Sequence, residues 1–237
     1  MSVYIVKYSF MEKQELNRLL SLMFQAHPWH GVSAGINAPN IVNTYIEIVP
    51  RDVVKYELDK PSGHLRLDRP HKFSSLCPTL YGFIPQTYCG EKIAEFCRRK
   101  TGREVLKGDG DPLDICILTE KTIMNSNFFM NSKPIGGLRL LDHGEADDKI
   151  IAVLNNDAAF GHFNEINDCP NGLIERLTHY FLSYKQLPND APRELEVTHV
   201  YSRAEAHEVI NLSFADYRET FGNPETRIDE LKTLLRA

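Results

Sequence analysis

The sequence has no Cys-x-x-Cys pair, and its five cysteines (Cys77, Cys89, Cys97, Cys116 and Cys169) are an odd number. That argues against a disulfide framework and against a zinc ribbon, and favours reduced thiols. It has no excess of positive charge either. Lys plus Arg is 27 against 32 Asp plus Glu, a formal net charge of -5. A general nucleic-acid binder needs a basic face to neutralise phosphates, so no nucleic-acid partner is expected. No apolar run approaches the ~18 residues that cross a bilayer, so no membrane partner is expected. The N-terminus lacks the basic start, apolar stretch and small-residue cleavage site of a signal peptide, which points to a cytoplasmic location. Internal repeats and low-complexity linkers are missing too. What remains is an ordinary globular composition, 42% hydrophobic and 25% charged over 237 residues, read as a single domain over 1–237.

Three regions differ in pattern. In the first, 1–43, Leu16, Leu19, Leu20 and Met23 recur at helical spacing and predict a helix over residues 11–25, with loop from His27-Pro28-Trp29-His30 onward. The second, 44–186, alternates as strands do: Thr44 to Val49, Val53 to Leu58, Leu65 to Asp68, Ile115 to Leu118, Ile135 to Leu141 and Lys149 to Leu154. The charged, weakly patterned stretch from Cys89 to Gly108 reads as a surface insertion. Leu173, Ile174, Leu177, Phe181 and Tyr184 form a helical stripe. The third region, 187–237, reads as helical, around 204–220 and 225–236. Short strands followed by helices predict an α+β fold with a curved or barrel-like sheet.

Chemistry concentrates in Asp109-Gly110-Asp111-Pro112-Leu113-Asp114, which precedes an apolar strand. Three carboxylates in six residues repel unless solvated or neutralised by protons or cations. Gly110 and Pro112 favour a tight turn that aims them into one space. Oxygen-only ligands of this kind suit hard cations such as Mg2+. A second acidic segment, Asp142-His143-Gly144-Glu145-Ala146-Asp147-Asp148-Lys149, also joins two strands. Taken alone it reads as a solvated hairpin turn; beside the first it can converge on one cleft. Lys55 and Glu57, two apart, share a strand face. His27 and His30, beside Pro and Trp, read as packed structure rather than metal ligands, and Gly136-Gly137 inside a strand reads as a bulge or close packing.

At these residues the chain resembles the soluble inorganic pyrophosphatases of family I, in a long variant with N- and C-terminal additions. The resemblance runs from about Tyr45 to Lys185. Asp109-Gly-Asp-Pro-Leu-Asp-Ile carries it most specifically. Ile46-Glu-Ile-Val-Pro, Lys55-Tyr-Glu-Leu-Asp, Asp68-Arg69, Tyr81-Gly82, Asp142 to Lys149 and Tyr184-Lys185 follow the family's order.

The resemblance implies an OB-like five-stranded antiparallel β-barrel flanked by helices. It also implies hydrolysis of pyrophosphate to two phosphates, with several Mg2+ ions per site (Mn2+ or Zn2+ as substitutes), in a homo-oligomer. Carried over residue by residue, Asp109, Asp114, Asp142, Asp147 and Glu47 would serve the metals. Asp111 would be the general base. Lys55, Arg69, Tyr81, Lys149, Tyr184 and Lys185 would contact phosphate, and Glu57 would line the cavity. The family usually has Tyr where this chain has Cys77 and Glu where it has His143, which predicts altered outer metal sites rather than loss of activity.

Rival readings fit less well. An aspartate-nucleophile phosphatase wants its motif after a buried strand, and here the strand follows it. An EF-hand wants Gly at the sixth loop position, where Asp114 stands. A catalytically impaired pyrophosphatase-like protein that only binds phosphate and metal is the more serious alternative.

Overall fold

The computed structural model describes residues 25–71, 74–103, 107–185 and 195–224, with Thr226 and Thr233 besides. The expected helix over 11–25 and most of that over 225–236 lie outside the described residues.

The strands are β1 (Val42–Ile48), β2 (Val54–Leu58), β3 (Leu65–Pro70), β4 (Leu80–Phe83), β5 (Lys107–Gly108), β6 (Asp114–Leu118), β7 (Phe128–Asp142), β8 (Glu145–Ala146), β9 (Lys149–Leu154) and β10 (Leu195–Ser202). The helices are α1 (Glu91–Thr101), α2 (Asn171–Ser183) and α3 (Arg203–Phe221). Neighbours in the main sheet run β1-β4-β6-β9-β7, and β1 pairs again with β7, so these five strands close on themselves. This is the expected five-stranded barrel within an α+β fold. Four of its seams are antiparallel, and one, β6 with β9, is parallel. Closure removes exposed edges. β2 and β3 form a separate hairpin. Among the described residues no helix is long and apolar enough to cross a membrane.

β9 is buried from Lys149 to Val153, and Ile115, Cys116, Ile117 and Leu118 of β6 are buried too. A strand covered on both sides is apolar throughout rather than alternating. Gly136 and Gly137 sit where β7 bulges between its pairings with β9 and lies beneath Tyr201 of β10. A Cβ on Gly137 would come 2.3 Å from the Tyr201 ring. Close packing is therefore the reason for that pair, as expected.

Two expectations need correction. The stretch from Cys89 to Gly108 is no surface insertion: it contains α1, which buries Ile93, Ala94, Phe96 and Cys97 against the core. Its N-terminus has no local side-chain cap. Instead the Asp216 carboxylate of α3 accepts the backbone N–H groups of Gly90, Lys92 and Ile93. A carboxylate there satisfies orphan donors and complements the helix dipole. The region 187–237 is not purely helical either, since β10 runs along β7 from Leu195 to Ser202. All five cysteines are buried and free, as their number suggested.

Candidate active site

The Asp109–Asp114 turn links β5 to β6. Gly110 takes φ +75°, in the left-handed region that suits glycine. The Asp111 N–H donates to Asp109 Oδ1 (2.9 Å), and the Cys89 N–H to the Asp111 carbonyl (2.8 Å). The Leu113 N–H donates to Thr87 Oγ1 (2.8 Å), which fastens the far side of the turn. The second acidic segment is a tight reversal from β7 into β8, with His143 (φ 49°) and Gly144 (φ 82°) at its tip.

Both turns open on one cavity of about 420 Å³. Its walls include eleven of the thirteen residues anticipated from sequence: Lys55, Arg69, Tyr81, Asp109, Asp111, Asp114, Asp142, Asp147, Lys149, Tyr184 and Lys185. The other two, Glu47 and Glu57, line a smaller adjoining cavity of about 80 Å³, whose walls share Lys55, Tyr81, Asp111 and Asp114 with the first. Six carboxylates on the larger cavity, Glu145 among them, face four fixed cations.

The electrostatics follow from that excess. Register sets Asp114 beside Lys149 across the parallel seam, and the Lys149 ammonium binds both Asp114 and Asp147. Burial opposes the charge on that ammonium, but Asp114, Asp147 and Asp109 outweigh it and hold the group well above the usual lysine range. Burial, then Asp147, pushes Asp109 well above the carboxylate range. Burial also acts on Asp147, but Lys149 and a hydrogen bond from Asp109 bring it below that range. The same crowded pocket thus pushes these two carboxyl groups in opposite directions. Asp114 is raised by burial, with Lys149 opposing, and accepts a hydrogen bond from the Tyr81 hydroxyl (2.5 Å). Glu47 is pushed up to about 8, by burial and then by Asp114, although it accepts the Leu58 N–H at 2.7 Å. The other cations are paired as well: Lys185 binds Asp142 at 2.7 Å, Lys55 binds Glu57 at 2.8 Å, and Arg69 binds Asp68 at 2.5 Å.

The donor set fits hard divalent cations. It is all oxygen, it holds a lysine where positive charge is wanted, and Asp142 Oδ1 is buried without a hydrogen-bond partner. Among the described residues no three ligating side chains already converge at coordination distance. The lysine stands between the carboxylates instead.

Sequence reasoning missed Lys60, whose ammonium pairs with Asp111. It also missed His71, Glu145, Tyr180 and Phe181 on the cavity wall. Glu145 was legible within the acidic segment. Phe181 read only as a packing residue of a helical stripe, and Tyr180 was not singled out. Burial pushes the Cys77 thiol up to about 11, so it is no nucleophile, and it lies against the Tyr180 hydroxyl. His27 and His30 are packed structure, as expected: the His27 ring accepts the Trp29 N–H, and His30 meets the Tyr217 hydroxyl at 2.7 Å.

A family model described as inorganic pyrophosphatase matches residues 44–218. An inorganic pyrophosphatase of Chlamydia muridarum is 48% identical over 199 residues, covering 82% of this chain and 95% of that protein. A soluble inorganic pyrophosphatase of Oryza sativa is 36% identical over 176 residues, 73% of each chain. Among solved structures, the inorganic pyrophosphatase of Thermus thermophilus superposes with a TM-score of 0.68 at 28% identity, covering 81% of this chain and 99% of that one.

Proposed function

The chain belongs to the inorganic pyrophosphatase family, and from that premise we propose how its residues carry out the family's reaction. The reaction is hydrolysis of inorganic pyrophosphate to two orthophosphates, and it requires a divalent metal. The impaired, binding-only alternative is not favoured, because every residue anticipated for the reaction lines one of two adjoining cavities.

The cation is Mg2+ on this reading, since carboxylate oxygens with room for water suit a small hard ion. Asp109, Asp114 and Asp147 would hold the tightest cation. Asp142 would join Asp147 at another, and Glu47 would assist through water. Bound there, the cations supply charge neutralisation and lower the pKa of water towards neutrality.

The protein's own groups do the rest. Lys149 is held by Asp114 and Asp147; with cations on those carboxylates its ammonium would be available to phosphate oxygens. Lys55, Arg69 and Lys185 supply further positive charge along the wall, and Tyr81 and Tyr184 supply hydroxyl donors. Burial, then Asp114, keeps the Tyr81 hydroxyl protonated, so it remains a donor. Asp111 takes the proton from the attacking water. Its carboxylate is exposed at 41%, and it faces both cavities. No covalent intermediate is needed.

The observation that carries this reading is the convergence of both acidic turns and four cations on one cavity of about 420 Å³. The test is phosphate release from pyrophosphate with and without Mg2+, for the wild type and Asp111→Asn. Mg2+-dependent release that falls by about 10²–10⁴ in the variant is expected of a lost general base. Undiminished release by the variant would move the base elsewhere. No release by the folded wild type would return the binding-only reading.

A further inference from the structure

Residues 27–31 lie outside the matched family region, yet one of them, Trp29, reaches the smaller cavity beside the site. Trp29 is buried and lines the smaller cavity together with Lys60, Asp111 and Pro112. Its indole N–H donates to the Thr87 carbonyl (2.7 Å), and its own carbonyl accepts the Gln86 N–H (2.9 Å). Thr87 is the residue whose hydroxyl fastens the Asp109–Asp114 turn at Leu113.

His27 turns the other way, towards the β2–β3 hairpin. Its Nδ1 accepts the backbone N–H groups of Trp29 (3.2 Å) and His30 (3.3 Å). That leaves the proton on Nε2, which donates to the Lys60 carbonyl at 2.9 Å. The His27 ring packs against the hairpin tip, where a Cβ on Gly63 would come within 2.7 Å of it. From the clamped hairpin the Lys60 side chain reaches back to the Asp111 carboxylate. Among the described residues Lys60 is the only cation in an ion pair with Asp111.

We propose that Lys60 is a positioning residue for Asp111, and that His27 anchors Lys60 by holding its backbone. The inference rests on Asp111 being the general base. The ammonium restricts the carboxylate to orientations facing the attacking water, and a base free to rotate would spend less time aligned. The N-terminal segment thus contributes to the reaction through the hairpin rather than by touching substrate.

The test is steady-state kinetics on Lys60→Gln, Lys60→Arg, His27→Ala, His27→Ala/Lys60→Gln, Asp111→Asn and Asp111→Asn/Lys60→Gln, in saturating Mg2+. Lys60 is 47% exposed, so its variants should keep the wild-type melting temperature within about 2 °C. Lys60→Gln is expected to lower kcat about tenfold with KM within about twofold, and Lys60→Arg to recover most of the loss. His27→Ala should lower kcat in the same direction, by about threefold, and add nothing to Lys60→Gln. In the Asp111→Asn background Lys60→Gln should change nothing further.

Wild-type kcat in Lys60→Gln would overturn the proposal. So would an equal loss in the Asp111→Asn background, or a rise in KM at constant kcat, which would make Lys60 a phosphate ligand. Asp111→Asn at the wild-type rate refutes the base assignment itself. A crippled Asp111→Asn beside an unaffected Lys60→Gln refutes only the role of Lys60.

Discussion

Without metal, Glu47 should make the protein less stable as pH rises. Its carboxyl is buried at 7% exposure and pushed from 4.5 to about 8 by burial and then by Asp114. The folded state therefore binds this proton more tightly than the unfolded chain does. Where the folded pKa is the higher, stability is fully present below the unfolded value and is lost as pH rises towards the folded one. Each pH unit in that window is worth about 1.36 kcal/mol. Between about pH 5 and about pH 8 the loss from this one group reaches about 4 kcal/mol, near 10 °C in melting temperature for a chain of this size. Glu47→Gln removes the ionisation and keeps an oxygen for the Leu58 N–H. Thermal melts followed by circular dichroism, in chelator at both pH values, should give a much steeper pH dependence for the wild type than for Glu47→Gln. If the two proteins lose the same stability between those pH values, Glu47 is already ionised in the folded state and the reasoning fails.

Other expectations concern packing and charge. A Cβ on Gly82 would sit 1.8 Å from the Tyr45 carbonyl, backbone against backbone in the β1–β4 seam; Gly82→Ala should cost about 3 kcal/mol or more by urea unfolding, because neither strand can yield without opening the barrel. Arg139 is fully buried between Asp148 (3.1 Å) and Glu205 (3.0 Å); Arg139→Met should cost about 3–5 kcal/mol by stranding Asp148, and adding Asp148→Asn should recover part of it. Calcium added to the Mg2+ enzyme should inhibit phosphate release, since it occupies oxygen sites with looser geometry; full turnover on calcium alone would contradict a site demanding octahedral coordination.

The parts legible in the sequence were those whose cause is local. Gly110 needs its positive φ for the turn, and the Asp109 side chain folds back onto the Asp111 N–H two residues on, so the acidic turn could be read from six letters. The strands around it alternate or run apolar as burial requires. Most of what escaped was held from far away. α1 carries no cap of its own and is capped by Asp216, 126 residues beyond Gly90, so local pattern gave only a charged stretch. β10 pairs along the far half of the long strand β7; its own run, Leu195-Glu-Val-Thr-His-Val-Tyr201, carries a strand signal that the helical reading of this region passed over. Lys60 reads as an ordinary turn lysine until the fold carries the Asp109–Asp114 turn beneath it.

The convergence of the two acidic turns has a topological cause. β9 lies between β6 and β7. Because β6 and β9 run parallel, both start at the same end of the barrel, with Asp114 level with Lys149. β7 runs antiparallel to β9, so it finishes at that end, where Asp142 leads into the second turn. Had β6 been antiparallel to β9, Asp114 would begin at the far end of a five-residue strand, four steps and roughly 13 Å away at about 3.3 Å per residue. No side chain here spans that gap, and Lys149 could not hold Asp114 and Asp147 together. The single parallel seam in an otherwise antiparallel barrel is what makes one site of two motifs lying about thirty residues apart in the chain.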